Sequence, residues 1–138
     1  MLYPKKVKFR KWQSNRKSLE NITPDTRGLD VSFGSYGLKA TSAGRIRSNQ
    51  IEAARKVISR TITKSGRLWI RIFPDRPFTA KPAEIGMGKG KGDPQGYCVD
   101  IRPGRILFEV EAATPEIAQE ALRKGGTKLP VKTRIVGR

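Results

Sequence analysis

The sequence predicts an α+β fold, a two-layer sandwich in which two helices cover one face of a mixed β-sheet. Several segments alternate apolar and polar residues with the period of strands, and two others have the longer period of amphipathic helices. Their order is strand, helix, strand, hairpin, helix, strand, and 138 residues suit one modest core. A basic N-terminal extension (1–27) precedes a single domain (28–138), from which a long glycine- and lysine-rich loop (74–96) is expected to protrude.

The first strand is expected within Asp30–Ala40, where apolar residues alternate with small polar ones. Two glycines in this segment suit either close packing or the approach of RNA. The first helix is predicted over Asn49–Lys64, with Asn49 as N-cap and Glu52 completing a capping box. Its apolar face is expected to pack on the sheet, and its cationic face is available to phosphate.

The alternation of Leu68–Phe73 predicts the next strand. Three prolines follow it, and they are expected to prevent regular strand pairing across 74–96. The loop ends in Met87–Gly92, whose glycines leave two lysines as its main side chains. Neither the Walker nor the dinucleotide spacing fits this segment, which favours a basic loop that threads between RNA strands.

A hairpin is predicted from Tyr97–Arg102 and Arg105–Glu111, which flank Pro103-Gly104. Glu109 and Glu111 share one face of the second strand. They are interpreted as a solvent face, or as partners of Arg102 and Arg105, rather than as paired catalytic carboxylates.

Thr114-Pro115-Glu116 has the N-cap, proline and acid that are typical of a helix start. Gly125-Gly126 is expected to end or fray this second helix. Val131–Val136 then predicts the last strand, with cations at alternate positions.

Composition points to a polyanionic partner, because 29 lysines and arginines face 12 acidic residues and the formal charge is +17. Nucleic acid is favoured over a membrane surface, since the charge is spread along the whole chain. There is no histidine and a single cysteine, Cys98, so neither a metal site, a cofactor nor a disulfide framework is expected. An RNA-cleaving enzyme is disfavoured because Asp75, Glu84 and Asp93 are scattered along the loop.

The extension interleaves cations with Tyr3, Phe9 and Trp12, a pattern that favours phosphate contacts together with stacking on bases. A merely solubilising tail is the alternative. The extension is expected to become ordered on RNA. The candidate RNA-binding residues are Lys5, Lys6, Lys8, Arg10, Lys11, Trp12, Arg16, Lys17, Arg45, Arg47, Arg55, Lys56, Arg60 and Arg71.

Ten motifs, in order, give the chain a resemblance to the bacterial large-subunit ribosomal protein L-sixteen family over nearly its whole length. They are Met1-Leu2 with Pro4-Lys5, Lys8-Phe9-Arg10-Lys11, Asp30–Gly34, Gly37–Ala40, Gln50–Arg55, Trp69–Asp75, Lys81-Pro82, Met87–Gly92, Pro103–Leu107 and Lys128–Pro130.

The resemblance implies a non-enzymatic component of the large subunit that joins late in assembly and binds rRNA near the base of the central protuberance. It implies contact with A- and P-site tRNA and with neighbouring ribosomal proteins, but neither a membrane nor a second copy. The implied location is the bacterial cytoplasm, with an organellar ribosome left open; the alternative is an RNA chaperone or general RNA-binding protein outside the ribosome. The residues implied near tRNA are Lys81, Met87, Gly88, Lys89, Gly90, Lys91 and Gly92.

The loop departs from the family pattern at Gly86, where many members carry an arginine that is hydroxylated in some bacteria. The same modification is impossible here, so Lys89 and Lys91 are expected to supply the positive charge at the end of the loop.

Overall fold

The computed structural model describes residues 1–14 and 18–138. A 3-10 turn, Leu19–Asn21, precedes the strands. The strands and helices are β1 (Tyr36–Ala40), β2 (Gly44–Arg47), α1 (Ser48–Ile62), β3 (Arg67–Ile70), β4 (Arg76–Ala80), β5 (Asp93–Ile101), β6 (Ile106–Glu111), α2 (Pro115–Gly126) and β7 (Thr133–Gly137).

The described strands form two sheets, one with the order β3-β6-β1-β7 and one with the order β2-β5-β4. Helices α1 and α2 pack against each other, and both also contact strands. The predicted α+β sandwich with two helices is therefore confirmed. The strands differ in two respects from the single mixed sheet that was predicted, because they form two sheets and each pair in the described chain is antiparallel.

The predicted loop 74–96 is too long, because β4 and the start of β5 lie inside it. Pro77 stands within β4, opposite Tyr97 of β5. This position tolerates a proline because β4 is an edge strand, so the missing N–H is not needed for a second partner. The segment between the two strands, 81–92, is the loop that remains.

Helix α1 has the amphipathic face that the sequence predicts, with Ile51, Ala54, Ile58 and Ile62 buried. Its start differs from the prediction. The helix begins at Ser48, one residue before the proposed cap. The side-chain oxygen of Gln50 accepts from the backbone N–H of Arg47 (2.9 Å), and Glu52 instead pairs with Arg55.

The predicted end of the second helix is correct, because Gly125 and Gly126 are the last two residues of α2. A Cβ atom added to Gly125 would lie 2.5 Å from Cδ1 of Ile58 on α1. The glycine therefore allows the two helices to approach closely, a packing reason that outweighs its poor helix propensity. None of the helices in the described residues has the length and apolarity needed to cross a membrane.

Candidate nucleic-acid interface

The N-terminal extension and the glycine-rich loop meet at residues 11–12 and 91, although about 80 residues separate these positions in sequence. The Lys11 ammonium group donates to the carbonyl of Lys91 (3.3 Å), and the Lys91 ammonium group donates to the carbonyl of Trp12. Within the loop, the Lys81 ammonium group donates to the carbonyl of Gly88. We call the exposed surface formed by residues 5–14 and 81–92 the tail–loop surface.

Arg76 on β4 fastens the extension to the domain. Its side chain is nearly buried, with 8% of the residue exposed, and it donates to the carbonyls of Gln13 (2.5 Å) and Ser14 (3.2 Å). It also pairs with Asp100 (3.0 Å), and its guanidinium carbon lies 5.4 Å from the centre of the Trp12 ring. Sequence reasoning missed Arg76, because nothing in the local pattern separates it from the other arginines.

Arg45 shares these partners, and this limits its role as a free phosphate contact. It pairs with Asp100 (2.8 Å) and donates to the carbonyl of Ser14 (2.6 Å). Arg47, two residues along β2, lies over the ring of Phe78 at 4.8 Å. Both arginines remain exposed. They border the anchored end of the extension.

The tip of the loop projects away from the domain. Met87 is 97% exposed, and a Cβ atom added at Gly88 or Gly90 would meet no atom within 4 Å. Gly88 and Gly90 have φ values of 100° and 95°, and Lys89 between them has a φ of 61°. Two glycines in this left-handed region let the backbone turn repeatedly with little side-chain mass, so a phosphate backbone can approach it closely.

The cations of helix α1 divide into two groups. Arg55 pairs with Glu52 (2.6 Å), and this hydrogen bond lowers the pKa of the Glu52 carboxyl group, against a smaller opposing effect of its burial. Lys56 and Arg60 are exposed, and neither forms an ion pair with a carboxylate in the part of the chain that the structure describes. Lys56 and Arg60 are therefore the cations of α1 that remain available to a phosphate.

Glu109 is an organising residue, and its predicted solvent exposure is wrong. It is 0% exposed, and its carboxylate accepts from the backbone N–H groups of Ser32 (2.6 Å) and Phe33 (2.8 Å). The same carboxylate pairs with Arg71 (2.9 Å). Because these amides bind a side chain instead of a strand, the first strand begins at Tyr36 and not at residue 30.

The predicted partners of the glutamates also need correction. Glu111 is exposed, as expected, but Glu109 pairs with neither of the two arginines proposed for it. Arg105 pairs instead with Asp25 at 3.6 Å.

The predicted site residues thus fall into three places. Arg71 lies just beyond β3 and Arg55, Lys56 and Arg60 lie on α1, while Arg45 and Arg47 border the anchor. Arg16 and Lys17 lie outside the described residues. Of the predicted residues in the extension and the loop, direct contacts join Lys11 and Trp12 to Lys91. The others lie along the same two exposed segments, and they are Lys5, Lys6, Lys8, Arg10, Lys81, Met87, Gly88, Lys89, Gly90 and Gly92.

Cys98 is buried on β5, as predicted for a small core residue. Burial raises the pKa of its thiol, and the nearby Asp100 carboxylate adds to this shift. Over residues 1–14 and 18–138, no group of three or more acidic, cysteine or histidine side chains is placed to hold a metal ion.

Comparison with known proteins identifies the family. Residues 4–136 match the sequence model of the family described as ribosomal protein L16p/L10e. The chain is also 53% identical, over all of its 138 residues and 98% of the relative, to large ribosomal subunit protein uL16 of Halorhodospira halophila (strain DSM 244 / SL1). The resemblance that the motifs predicted is confirmed: the chain belongs to the ribosomal protein L16p/L10e family.

Proposed function

We propose that this chain is a structural constituent of the large ribosomal subunit, where it binds rRNA near the base of the central protuberance and helps to shape the aminoacyl-tRNA site. The observation that carries the proposal is the tail–loop surface, in which two distant basic segments meet. The similarity to a relative named large ribosomal subunit protein uL16 supports the assignment to the large subunit.

The charge of this surface favours a polyanionic partner. Residues 1–14 contain five cations and no acidic residue, and residues 81–92 contain three lysines and only Glu84. Such a concentration of like charge is repulsive in the free protein, whereas bound phosphates neutralise it and release their counterions. Binding is therefore expected to weaken steeply with salt.

The anchor at Arg76 prepares the surface for binding. Its bonds to the carbonyls of Gln13 and Ser14 hold the extension to the domain directly after the cations of residues 5–11. A segment held in this way loses less conformational freedom on association, which favours affinity. Full ordering of the extension on RNA stays a prediction.

The loop tip is the part proposed to reach toward tRNA in the A and P sites. Lys89 and Lys91 are its cations, because Gly86 offers no side chain. The mechanism is positional: cations hold crowded phosphates in one geometry, and no bond is made or broken. Late entry into the subunit and a place in the bacterial cytoplasm belong to the same proposal.

Sedimentation of the protein from its native cell, through gradients of low and then high salt, tests the proposal. We expect co-migration with the large subunit that persists at moderate salt, since shape as well as charge holds an integral component. Migration in free fractions, or release by a slight rise in salt, would favour a general RNA-binding protein outside the ribosome.

The role of the loop has a separate test. Lys89→Ala combined with Lys91→Ala should slow tRNA accommodation more than it reduces incorporation into the subunit. Lys124→Ala combined with Lys128→Ala removes the same charge outside the tail–loop surface and serves as the control. Equal effects of the two double variants on accommodation would assign the loss to net charge alone and count against the proposed loop contact.

A further inference from the structure

Outside both the extension and the loop, the surface of the domain carries a cluster of aromatic and cationic side chains. We propose that Phe33, Trp69 and Arg71 form a stacking platform for one unpaired nucleobase of the bound RNA. The inference rests on the proposed rRNA-binding function and adds a base-contacting site to it.

The three side chains lie on one side of the edge strand β3. Trp69 and Arg71 are two residues apart, so their side chains project to the same face of the sheet. The rings of Phe33 and Trp69 are stacked, with centres 6.2 Å apart and an angle of 21° between their planes. The guanidinium carbon of Arg71 lies 5.0 Å from the centre of the Phe33 ring.

A single buried carboxylate fixes both ends of this arrangement. Glu109, opposite Trp69 in the strand register, accepts from the backbone N–H of Phe33 and from the Arg71 guanidinium group. The ring and the cation are therefore held in place before a ligand arrives. Pre-organisation of this kind lowers the entropic cost of binding.

The platform is open where a base would lie. Phe33 is 56% exposed, which is unusual for a large apolar side chain. Arg71 is half-buried. The Arg71 guanidinium group has five N–H donors. Among the described residues, it donates one hydrogen bond to a side chain, that of Glu109. The remaining donors are available to a base or phosphate oxygen.

The residues around the platform are mainly apolar and cationic, which suits a nucleotide. The depression beside the platform is lined by the apolar side chains of Leu2 and Phe73 and by the cation of Arg105, and Asp75 is the one acidic residue among its described lining. Aromatic rings and guanidinium planes are the usual stacking partners of splayed-out RNA bases. The net charge of +17 favours a nucleic acid over a neutral apolar partner at this face.

Cross-linking of the intact protein tests the occupant directly and needs no variant. Assembled large subunits from the native cell are irradiated with ultraviolet light, and peptides that carry a nucleotide adduct are mapped by mass spectrometry. We expect an adduct on Phe33 or Trp69. Adducts confined to the extension and the loop, or a cross-link from Phe33 to a neighbouring protein, would overturn the platform.

Binding of the full chain to deproteinised large-subunit rRNA provides the second test. Phe33→Leu keeps apolar bulk but removes the π face, and is expected to weaken binding about tenfold; Phe33→Trp keeps the π face and should stay within about twofold of wild type. The salt dependence should be unchanged in both variants, since neither removes a phosphate contact, whereas Lys89→Ala with Lys91→Ala should reduce its slope by about 1.5.

The outcomes separate the two proposals. Equal affinity of wild type and Phe33→Leu, with large-subunit rRNA still preferred over an unrelated duplex, would reject the platform and leave the proposed function intact. Loss of that preference in the wild-type protein would reject the proposed function and the platform together.

Discussion

Replacement of the buried Glu109 by glutamine is expected to destabilise the fold, although the change conserves the shape of the side chain. The carboxylate accepts hydrogen bonds from Ser32, Phe33 and Arg71 and has no exposed surface. In glutamine, one oxygen becomes an NH2 group that cannot accept. That group would face an N–H donor whichever way the amide is turned.

The magnitude follows from these contacts. A hydrogen bond to a charged group contributes about 1.5–3 kcal/mol, and one such bond is lost outright. The Arg71 cation also loses its counter-charge; removal of one partner from a fully buried pair costs about 3–5 kcal/mol, but less here because 22% of the Arg71 side chain is exposed. We expect a loss of about 3 kcal/mol in the free energy of unfolding, which corresponds to a decrease of about 10 °C in Tm.

Urea unfolding followed by circular dichroism measures this loss. Glu111→Gln is the matched control, because Glu111 lies two residues along the same strand and is exposed. Its free energy of unfolding should stay within about 0.5 kcal/mol of wild type. If Glu109→Gln unfolded at the same urea concentration as Glu111→Gln, the carboxylate would not organise the residues around it.

Three further predictions concern other parts of the fold. Arg76→Ala removes the anchor of residues 1–14, so trypsin should cleave this segment several-fold faster than in wild type; an unchanged rate would show that other contacts hold it. Gly125→Ala should lower the free energy of unfolding by about 1 kcal/mol, because crowding against Ile58 exceeds the gain in helix propensity; a stabilised variant in urea unfolding would contradict this. Burial raises the pKa of the Cys98 thiol, so iodoacetamide at a mildly alkaline pH should label the native protein far more slowly than the urea-unfolded chain. Below the thiol pKa of the unfolded chain, the contribution of the neutral Cys98 thiol to stability is complete, and it is lost as the pH rises toward the higher pKa of the folded protein. Between these two pKa values, the free energy of unfolding should therefore fall with pH more in wild type than in Cys98→Ala.

Local periodicity was sufficient to locate the helices. The apolar spacing in 49–64 predicted α1 to within two residues of its observed bounds, Ser48–Ile62, because an amphipathic face is a property of neighbouring residues. The predicted hairpin around Pro103-Gly104 corresponds to β5 and β6, which flank that turn. They are consecutive strands but belong to different sheets, so the turn was predicted correctly and the pairing was not.

Strand partners could not be predicted in this way. Pro77 argues against a strand when the sequence is considered alone, and it is tolerated only because β4 lies at a sheet edge beside β5. Similarly, alternation places Glu109 and Glu111 on the same face of β6. Glu109 is buried because the chain at residues 32–33 covers it, and the pattern of β6 does not reveal this contact.

By itself, the sequence determined the net charge, the two amphipathic helices and the ordered motifs of the family, and hence the class of partner. These properties are sums over residues or patterns among neighbours, so they need no knowledge of distant contacts. Only the tertiary structure decided where the cations lie: Arg45 and Arg71 pair with carboxylates that are distant in sequence, while Lys11 of the extension meets Lys91 of the loop. The physical reason is that an ion pair depends on distances between residues as far apart as Arg71 and Glu109, and folding alone sets those distances.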